Sequence, residues 1–422
     1  MFRDWKLVSG SRALLAGALV FSAGPALAAD LGGNCCADLE ERIAELEETT
    51  ARKGNRKVSL TVSGWVNEAV FFWDDGVEQN TYVGTNALEQ DRFRFVGKAK
   101  IGDGWSAGYV LEIGVYGANS KSFSQDSSGT GGTSLRKSNW YIKNDKLGKV
   151  AVGRDGTATY HLIDNVNTLL TRNASDYEAA GVAIGNFKIR VDGNFVGGTT
   201  WKNIMGGFNN ATPGQSGLRN VVRYDTPSIA GFVATASWGE DDEWDVALRY
   251  KGGIGDFKIN GSVGYGESTD PDVNGGQCSG SIGTGRCQYW GVGGLAQHQP
   301  TGLFVYGGYG SNKVDLTPAE AAAGADDEST TAYVQAGIER KWLPLGKTNI
   351  FGEYRHDEVG LTSKSDSADL DMWAAGTVQE IAAADMVLYA FYRNYSGEFA
   401  DGGAAQDLDD FQMVITGAKI KF

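Results

Sequence analysis

From Lys57 to Phe422, apolar and polar side chains alternate with period two in one segment after another. "KVSLTVSGWVNEAVFFW" sets Val58, Leu60 and Val62 against Ser59, Thr61 and Ser63. "DRFRFVGKAKI" sets Phe93, Phe95, Ala99 and Ile101 against Arg92, Arg94, Lys98 and Lys100. The pattern recurs in "LRNVVRYD", "EWDVALRYK" and "FKINGSVGYGE". Period two belongs to a strand with two unlike faces, whereas a helix repeats every 3.6 residues or so. Each segment runs for about ten residues, with aromatics near the ends of its apolar face.

The connections alternate as well. Short turns close every second strand, at 102–104, 144–149, 226–231, 252–256, 299–302, 343–347 and 382–385. Longer Gly/Ser/Asp-rich stretches lie between them, at 74–90, 117–135, 155–216, 267–287, 311–329, 358–368 and 397–410, with a short "GEDD" at 239–242. This rhythm predicts an all-β fold, a 16-stranded antiparallel transmembrane β-barrel over residues 57–422 with both termini on the short-turn side. A barrel in lipid turns its apolar face outward, and closure satisfies every backbone group, as the bilayer requires. The 60 glycines suit tilted strands that approach closely. The final "MVITGAKIKF" is apolar at every second residue and ends on Phe422, a strand edge that water would leave exposed to aggregation. It is expected to pair with the strand that begins near Lys57, with Val414, Thr416, Ala418, Ile420 and Phe422 toward lipid.

The chain opens differently. A basic start, an apolar run too short to span a bilayer and "ALA" at Ala26–Ala28 predict a cleaved signal peptide over residues 1–28. Export permits disulfides. Cys278 and Cys287, in one Gly/Ser-rich stretch, are expected to staple their loop. Residues 29–56 place Cys36, Leu39, Ile43, Leu46 and Thr50 on a heptad seam, predicting a short periplasmic, coiled-coil-like helical segment that oligomerises. Cys35 and Cys36 there are adjacent and would strain to bridge one another. A trimeric seam would make them interchain thiols.

Composition narrows the function. A formal charge of −14 argues against nucleic acid as a partner. His161, His298 and His356 are far apart in sequence and fit no metalloprotease spacing, and no G-x-S-x-G elbow is present. No catalytic, cofactor or metal site is expected, and the chain does not read as an enzyme.

The signal peptide, the acidic heptad segment, "RKVSLTVSGWVN" and the terminal "AKIKF" together resemble the outer-membrane porins of alpha-proteobacteria. The resemblance covers essentially the whole mature chain. It implies a homotrimer of water-filled, passive diffusion channels for small hydrophilic solutes and ions in the outer membrane. Its partners would be outer-membrane lipid, lipopolysaccharide and the barrel-assembly machinery, the last reading Phe422, with peptidoglycan at the mature N-terminus. The "CC" heptad segment departs from the pattern of enteric porins. The resemblance also implies that the long 155–216 stretch folds inward as a constriction loop bearing Asp155, Asp164, Asp176 and Glu178. Facing it, the polar strand faces supply Arg92, Arg94, Lys98, Lys100, Arg219, Arg223, Arg249, Lys251 and Lys258 as wall bases. Acids against bases would set a field across the lumen. A solute-specific channel on the same barrel, or a structural or adhesive envelope protein, are the competing readings.

Overall fold

A computed structural model describes residues 57–178, 184–205, 212–239, 242–269 and 283–422. The signal peptide, the heptad segment with Cys35 and Cys36, and Cys278 lie outside the described residues. Cys287 is disulfide-bonded.

Strand β1 (Ser59–Asp74) is followed by a short β2 (Gln79–Thr85), which folds back onto its far half. The chain continues through β3 (Arg92–Gly102), β4 (Trp105–Tyr116), β5 (Gly132–Asn144) and β6 (Gly148–Gly156). A long insertion carrying the hairpin β7 (Lys188–Val191) and β8 (Asn194–Thr200) then precedes β9 (Leu218–Asp225). Next come β10 (Phe232–Gly239), β11 (Glu243–Ile254), β12 (Phe257–Ser268), β13 (Cys287–His298) and β14 (Leu303–Val314). The last are β15 (Glu328–Leu343), β16 (Gly346–Val359), β17 (Ser367–Ile381), β18 (Met386–Ala400), the two-residue β19 (Gln406–Asp407) and β20 (Phe411–Lys421). Setting aside β2, β19 and the β7–β8 hairpin, which belong to loops, the barrel has 16 antiparallel strands. The seven short turns and the longer connections between them fall where the sequence places them.

The barrel closes where β20 pairs with β1, from Trp65 opposite Lys421 to Asp74 opposite Gln412. Phe422 completes the seam: its N–H donates to the Gly64 carbonyl at 3.1 Å, and the Gly64 N–H donates to its carbonyl at 2.9 Å. A side chain at Gly64 would lie 2.2 Å from the Arg92 carbonyl oxygen and 2.6 Å from the Phe422 ring, so only glycine lets three chain segments meet there. The Phe422 ring is 65% exposed at the short-turn rim. Removing Phe422 is therefore expected to lower the folded, heat-modifiable protein recovered from outer membranes severalfold, while the conductance of assembled channels is unchanged. Equal recovery of the truncated and full-length chains would refute that role.

The outward face is an apolar belt that includes Val62, Trp140, Val222, Val263, Val334, Ile350 and Val414. Burying each such side chain is worth about 1.5–3 kcal/mol, so the belt commits the barrel to lipid. Outward aromatic pairs mark the long-loop end, with ring centroids 5.7 Å apart for Trp244 and Tyr265, 5.3 Å for Trp290 and Tyr309, and 5.1 Å for Trp373 and Tyr392. Phe232 and Tyr250, 4.7 Å apart, serve the short-turn end. These are the two interfacial girdles of a membrane barrel.

The inner face departs from the sequence expectation. It is charged along β3–β6 and β9–β11. Along β1 and β14–β20, however, it carries buried Phe71, Trp73, Tyr306, Tyr333, Phe351, Phe391, Met413 and Ile415. The cause is the insertion between β6 and β9, which packs on that half of the wall. Phe187 lies 5.0 Å from Trp73 and 4.7 Å from Phe411, and Trp201 lies 5.8 Å from Tyr395. The lumen thus contains a hydrophobic core of its own.

Candidate functional site: a basic passage beside an internal loop

The insertion is fastened at its start. The Asp245 carboxylate on β11 accepts the N–H groups of Ala158 (2.9 Å) and Thr159 (2.7 Å) and the Thr159 hydroxyl (2.6 Å). Further along, Asn260 and Ser262 on β12 donate to the carbonyls of Val166 and Leu162, each at 2.7 Å. The Leu170 N–H donates to Glu339 on β15 at 2.7 Å. On β16, Arg355 grips Asp357 with two hydrogen bonds of 2.8 and 2.9 Å and donates to the Tyr177 carbonyl at 2.7 Å. Ser175 donates to Glu353 at 2.5 Å, and Glu353 is paired with Arg393 at 3.2 Å. The Arg355–Asp357 and Arg393–Glu353 charges are buried and each has an opposite partner, as burial demands. The wall leaves room for the loop by lacking side chains: a Cβ at Gly308 would meet Ile163 Cγ2 at 2.3 Å, and one at Gly310 would meet the Pro213 carbonyl oxygen at 1.9 Å.

Packing the insertion against β12–β18 leaves water space on the opposite side. One cavity of about 670 Å³ is lined by Trp65, Glu89, Arg92, Arg94, Glu112, Lys137, Arg223, Asp225, Arg249 and Lys251 on the wall side, and by Tyr160, His161, Asn165 and Arg172 from the insertion. A second, of about 410 Å³, shares Arg94 and Lys137 with it and adds Lys98, Lys143, Lys149 and Asp155. Sharing those two side chains, the cavities adjoin as one basic water space, the passage. Among the described residues its lining holds ten bases (Arg92, Arg94, Lys98, Lys137, Lys143, Lys149, Arg172, Arg223, Arg249, Lys251) and four acids (Glu89, Glu112, Asp155, Asp225), a surplus of six with histidine neutral.

Among the expected wall bases, Arg92 and Arg94 converge on buried Glu112, at 3.3 and 2.8 Å. Arg92 also lies over the Trp65 ring, 4.3 Å from its centroid. Arg223 pairs with Asp225 at 2.7 Å and donates to the Gly156 and Thr157 carbonyls. Arg249 donates to the Ala158 carbonyl at 2.7 Å. Lys98 and Lys251 are exposed to the passage. Arg219 pairs with Glu243 at 3.0 Å, outside both cavities, and Lys100 and Lys258 line neither.

Of the expected loop acids, Asp155 lines the passage and pairs with Lys137 at 2.7 Å. Asp164, Asp176 and Glu178 are buried inside the insertion. Asp164 and Glu178 both face His161 Nδ1, at 2.9 and 3.1 Å, and Asp176 is ion-paired with Arg172. Burial, then the Glu178 carboxylate, pushes the Asp164 carboxyl up to about 6. Burial also pushes Asp176 up to about 7, against the pull of Arg172. Burial opposes protonation of His161, but Glu178, Tyr160 and Asp164 outweigh it and raise its pKa. At Glu89, burial would raise the carboxyl, yet Lys419, Arg172 and Arg92 outweigh it and hold it well below the usual range. The described residues of the insertion therefore show the water a tyrosine, a histidine, an asparagine and an arginine, and the passage has bases on both sides.

Several of these groups escape a period-two reading. A bulge opposite Glu112 and Ile113 makes Arg136 an extra residue between Leu135 and Lys137. Arg136 and Lys137, neighbours in sequence, consequently both reach inward, to Glu112 at 2.9 Å and Asp155 at 2.7 Å. Glu89 and Arg172 lie off the strands altogether and meet only in the folded barrel, 3.5 Å apart.

A closed 16-stranded barrel with a lipid-facing belt, an internal loop and a charged water passage defines an outer-membrane channel. The profile of the Gram-negative porin family matches residues 13–412, and the chain belongs to that family. It is an outer-membrane porin, a passive diffusion channel. The fold is similar to that of the anion-selective porin from Comamonas acidovorans (TM-score 0.55, 16% identity, covering 86% of this chain and 100% of that one). It is also similar to OmpT of Vibrio cholerae in its trimer form (TM-score 0.52, 13% identity, 86% and 99% covered). Salmonella typhi OmpF, in complex with daunomycin, gives a TM-score of 0.52 at 12% identity, with 87% and 98% covered. No curated protein shows significant sequence similarity to this chain.

Proposed function

We propose that this porin is a general diffusion channel for small hydrophilic solutes that prefers anions. The reading rests on the surplus of six bases along the passage. A narrow lumen walled by low-dielectric protein concentrates ions of the opposite sign, so the sign of the lining sets the preference. The net charge of −14 is no guide, because its acids crowd into segments such as "GADD" at 324–327 and "DLDD" at 407–410, in the connections between barrel strands. The internal loop acts as the constriction, with Tyr160, His161, Asn165 and Arg172 as its edge. The porin works as a homotrimer with both termini in the periplasm. The trimer form of OmpT, which shares the fold, supports that assembly. Its lipid-facing rim meets lipopolysaccharide, and the barrel-assembly machinery reads the β20 end.

The test is purified protein in planar bilayers under a potassium chloride gradient. Stepwise, ohmic conductance with chloride more permeant than potassium is expected. Potassium preference would overturn the selectivity reading, and saturation by one solute would favour a solute-specific channel.

A further inference from the structure

Behind His161 at the edge of the internal loop lie two buried acids that the diffusion function does not use, Asp164 and Glu178. His161 Nδ1, a carboxylate oxygen of Asp164 and one of Glu178 all lie within 4.8 Å of one another. The nearest approaches are 2.9 Å from His161 Nδ1 to Asp164 Oδ2 and 3.1 Å to Glu178 Oε1. Two ligands of a tetrahedral ion, each bound at about 2.0–2.1 Å, stand about 3.3 Å apart, close to both separations from His161 Nδ1. Gln215 supports the pair from behind: its side-chain amide donates to Asp164 Oδ2 at 3.1 Å and to Glu178 Oε1 at 2.7 Å. Such amide support fixes the carboxylates as outer hydrogen bonds fix metal ligands. A separate observation points to a missing partner. Asp164 is 0% exposed, yet its second oxygen, Oδ1, is buried without a hydrogen bond. A buried carboxylate oxygen with no donor is costly, and a cation held by the Asp164 carboxylate offsets that cost.

We propose that His161, Asp164 and Glu178 form a site for a divalent transition metal of the zinc type, set in the constriction. The donor set of one imidazole and two carboxylates selects such an ion over calcium or magnesium, which prefer all-oxygen cages. Entry is from the passage and past the imidazole, because His161 lines the passage while Asp164 and Glu178 lie behind it. The ion takes the lone pair of His161 Nδ1. The proton there is released to the pore water, and the ring keeps its other hydrogen on Nε2. Binding therefore competes with protons and weakens as pH falls. A bound ion also pins residues 161–178 at three points and adds positive charge to the edge of the passage.

The experiment is equilibrium dialysis of the folded, detergent-solubilised porin against zinc chloride. One ion per chain is expected at about pH 7.5, weakened at least about tenfold at about pH 5.5. His161→Gln and Glu178→Gln should each weaken binding by at least about tenfold, the scale of losing a ligand or its support. His356→Gln should leave it unchanged, although His356, Asp369 and Asp371 form the other described cluster of this type. Zinc-edge anomalous scattering from wild-type crystals should place the ion between the three side chains, whatever the variants do to folding. No bound zinc in the wild type, binding that survives His161→Gln, or loss on His356→Gln would overturn the proposal. Ion selectivity measured with a chelator present is independent of this outcome, so the two readings fail separately.

Discussion

Lys98→Glu, Lys143→Glu and Lys251→Glu combined should abolish the anion preference, and the reversal potential in a potassium chloride gradient should fall to zero or change sign. All three lysines line the passage and are exposed, so the substitutions disturb little packing. Together they replace three positive charges by three negative ones and cancel the surplus of six. A unit charge about 7 Å from a permeating ion acts on it with about 0.6 kcal/mol at the dielectric constant of water. Salt of about 0.1 M, with a screening length near 10 Å, roughly halves that. Reversing one lysine thus shifts the balance between an anion and a cation by about 1.2 kcal/mol, since the ions respond oppositely. Because a permeating ion meets the three lysines in succession, the chloride-to-potassium permeability ratio should drop at least about tenfold in dilute salt, and less in concentrated salt. An unchanged ratio would mean that the passage does not carry the current.

Arg355→Ala should release the internal loop. The guanidinium is 0% exposed and holds both Asp357 and the Tyr177 carbonyl. Truncation leaves the Asp357 carboxylate buried without its counter-charge, at a cost of about 3–5 kcal/mol. It also removes the donor that holds the loop beside Glu178. Expected are noisy, larger single-channel currents and a barrel that unfolds at lower temperature in detergent. Replacing both partners, Arg355→Met with Asp357→Leu, should recover most of the thermal stability, because no charge is then stranded. The current noise should remain, since the Tyr177 carbonyl still lacks its donor. Quiet, wild-type currents from Arg355→Ala would show that the remaining anchors at Asp245 and Glu353 suffice.

The barrel itself was legible because lipid and water impose a strict alternation. Val222 and Tyr224 face out while Arg223 faces in, and slipping the register by one residue would put Arg223 in hydrocarbon. The strand ends were legible for the same reason, with glycine, proline and aspartate at the turns. The acids of the internal loop were not. A residue off a strand has no periodicity to say which way it points, so Asp164, Asp176 and Glu178 read as pore-facing charges and proved to be buried. The bulge at Glu112 hid Arg136 and Lys137 in the same way, by breaking the period locally.

The sequence by itself determined the strand count, the lipid face of the strands whose other face is charged and the seam between β20 and β1, because each is a repeated local choice enforced by the solvent on either side. Only the tertiary structure decided how the lumen is divided. Fastening of the insertion to Asp245, Glu353 and Arg355, and its fit against Gly308 and Gly310, join residues a hundred or more positions apart in most cases. Those contacts fill one half of the barrel with apolar packing and leave the other half to water and arginine. They also set His161, Asp164 and Glu178 side by side. No periodic pattern encodes such meetings, since they depend on which wall the loop lies against once the barrel has closed.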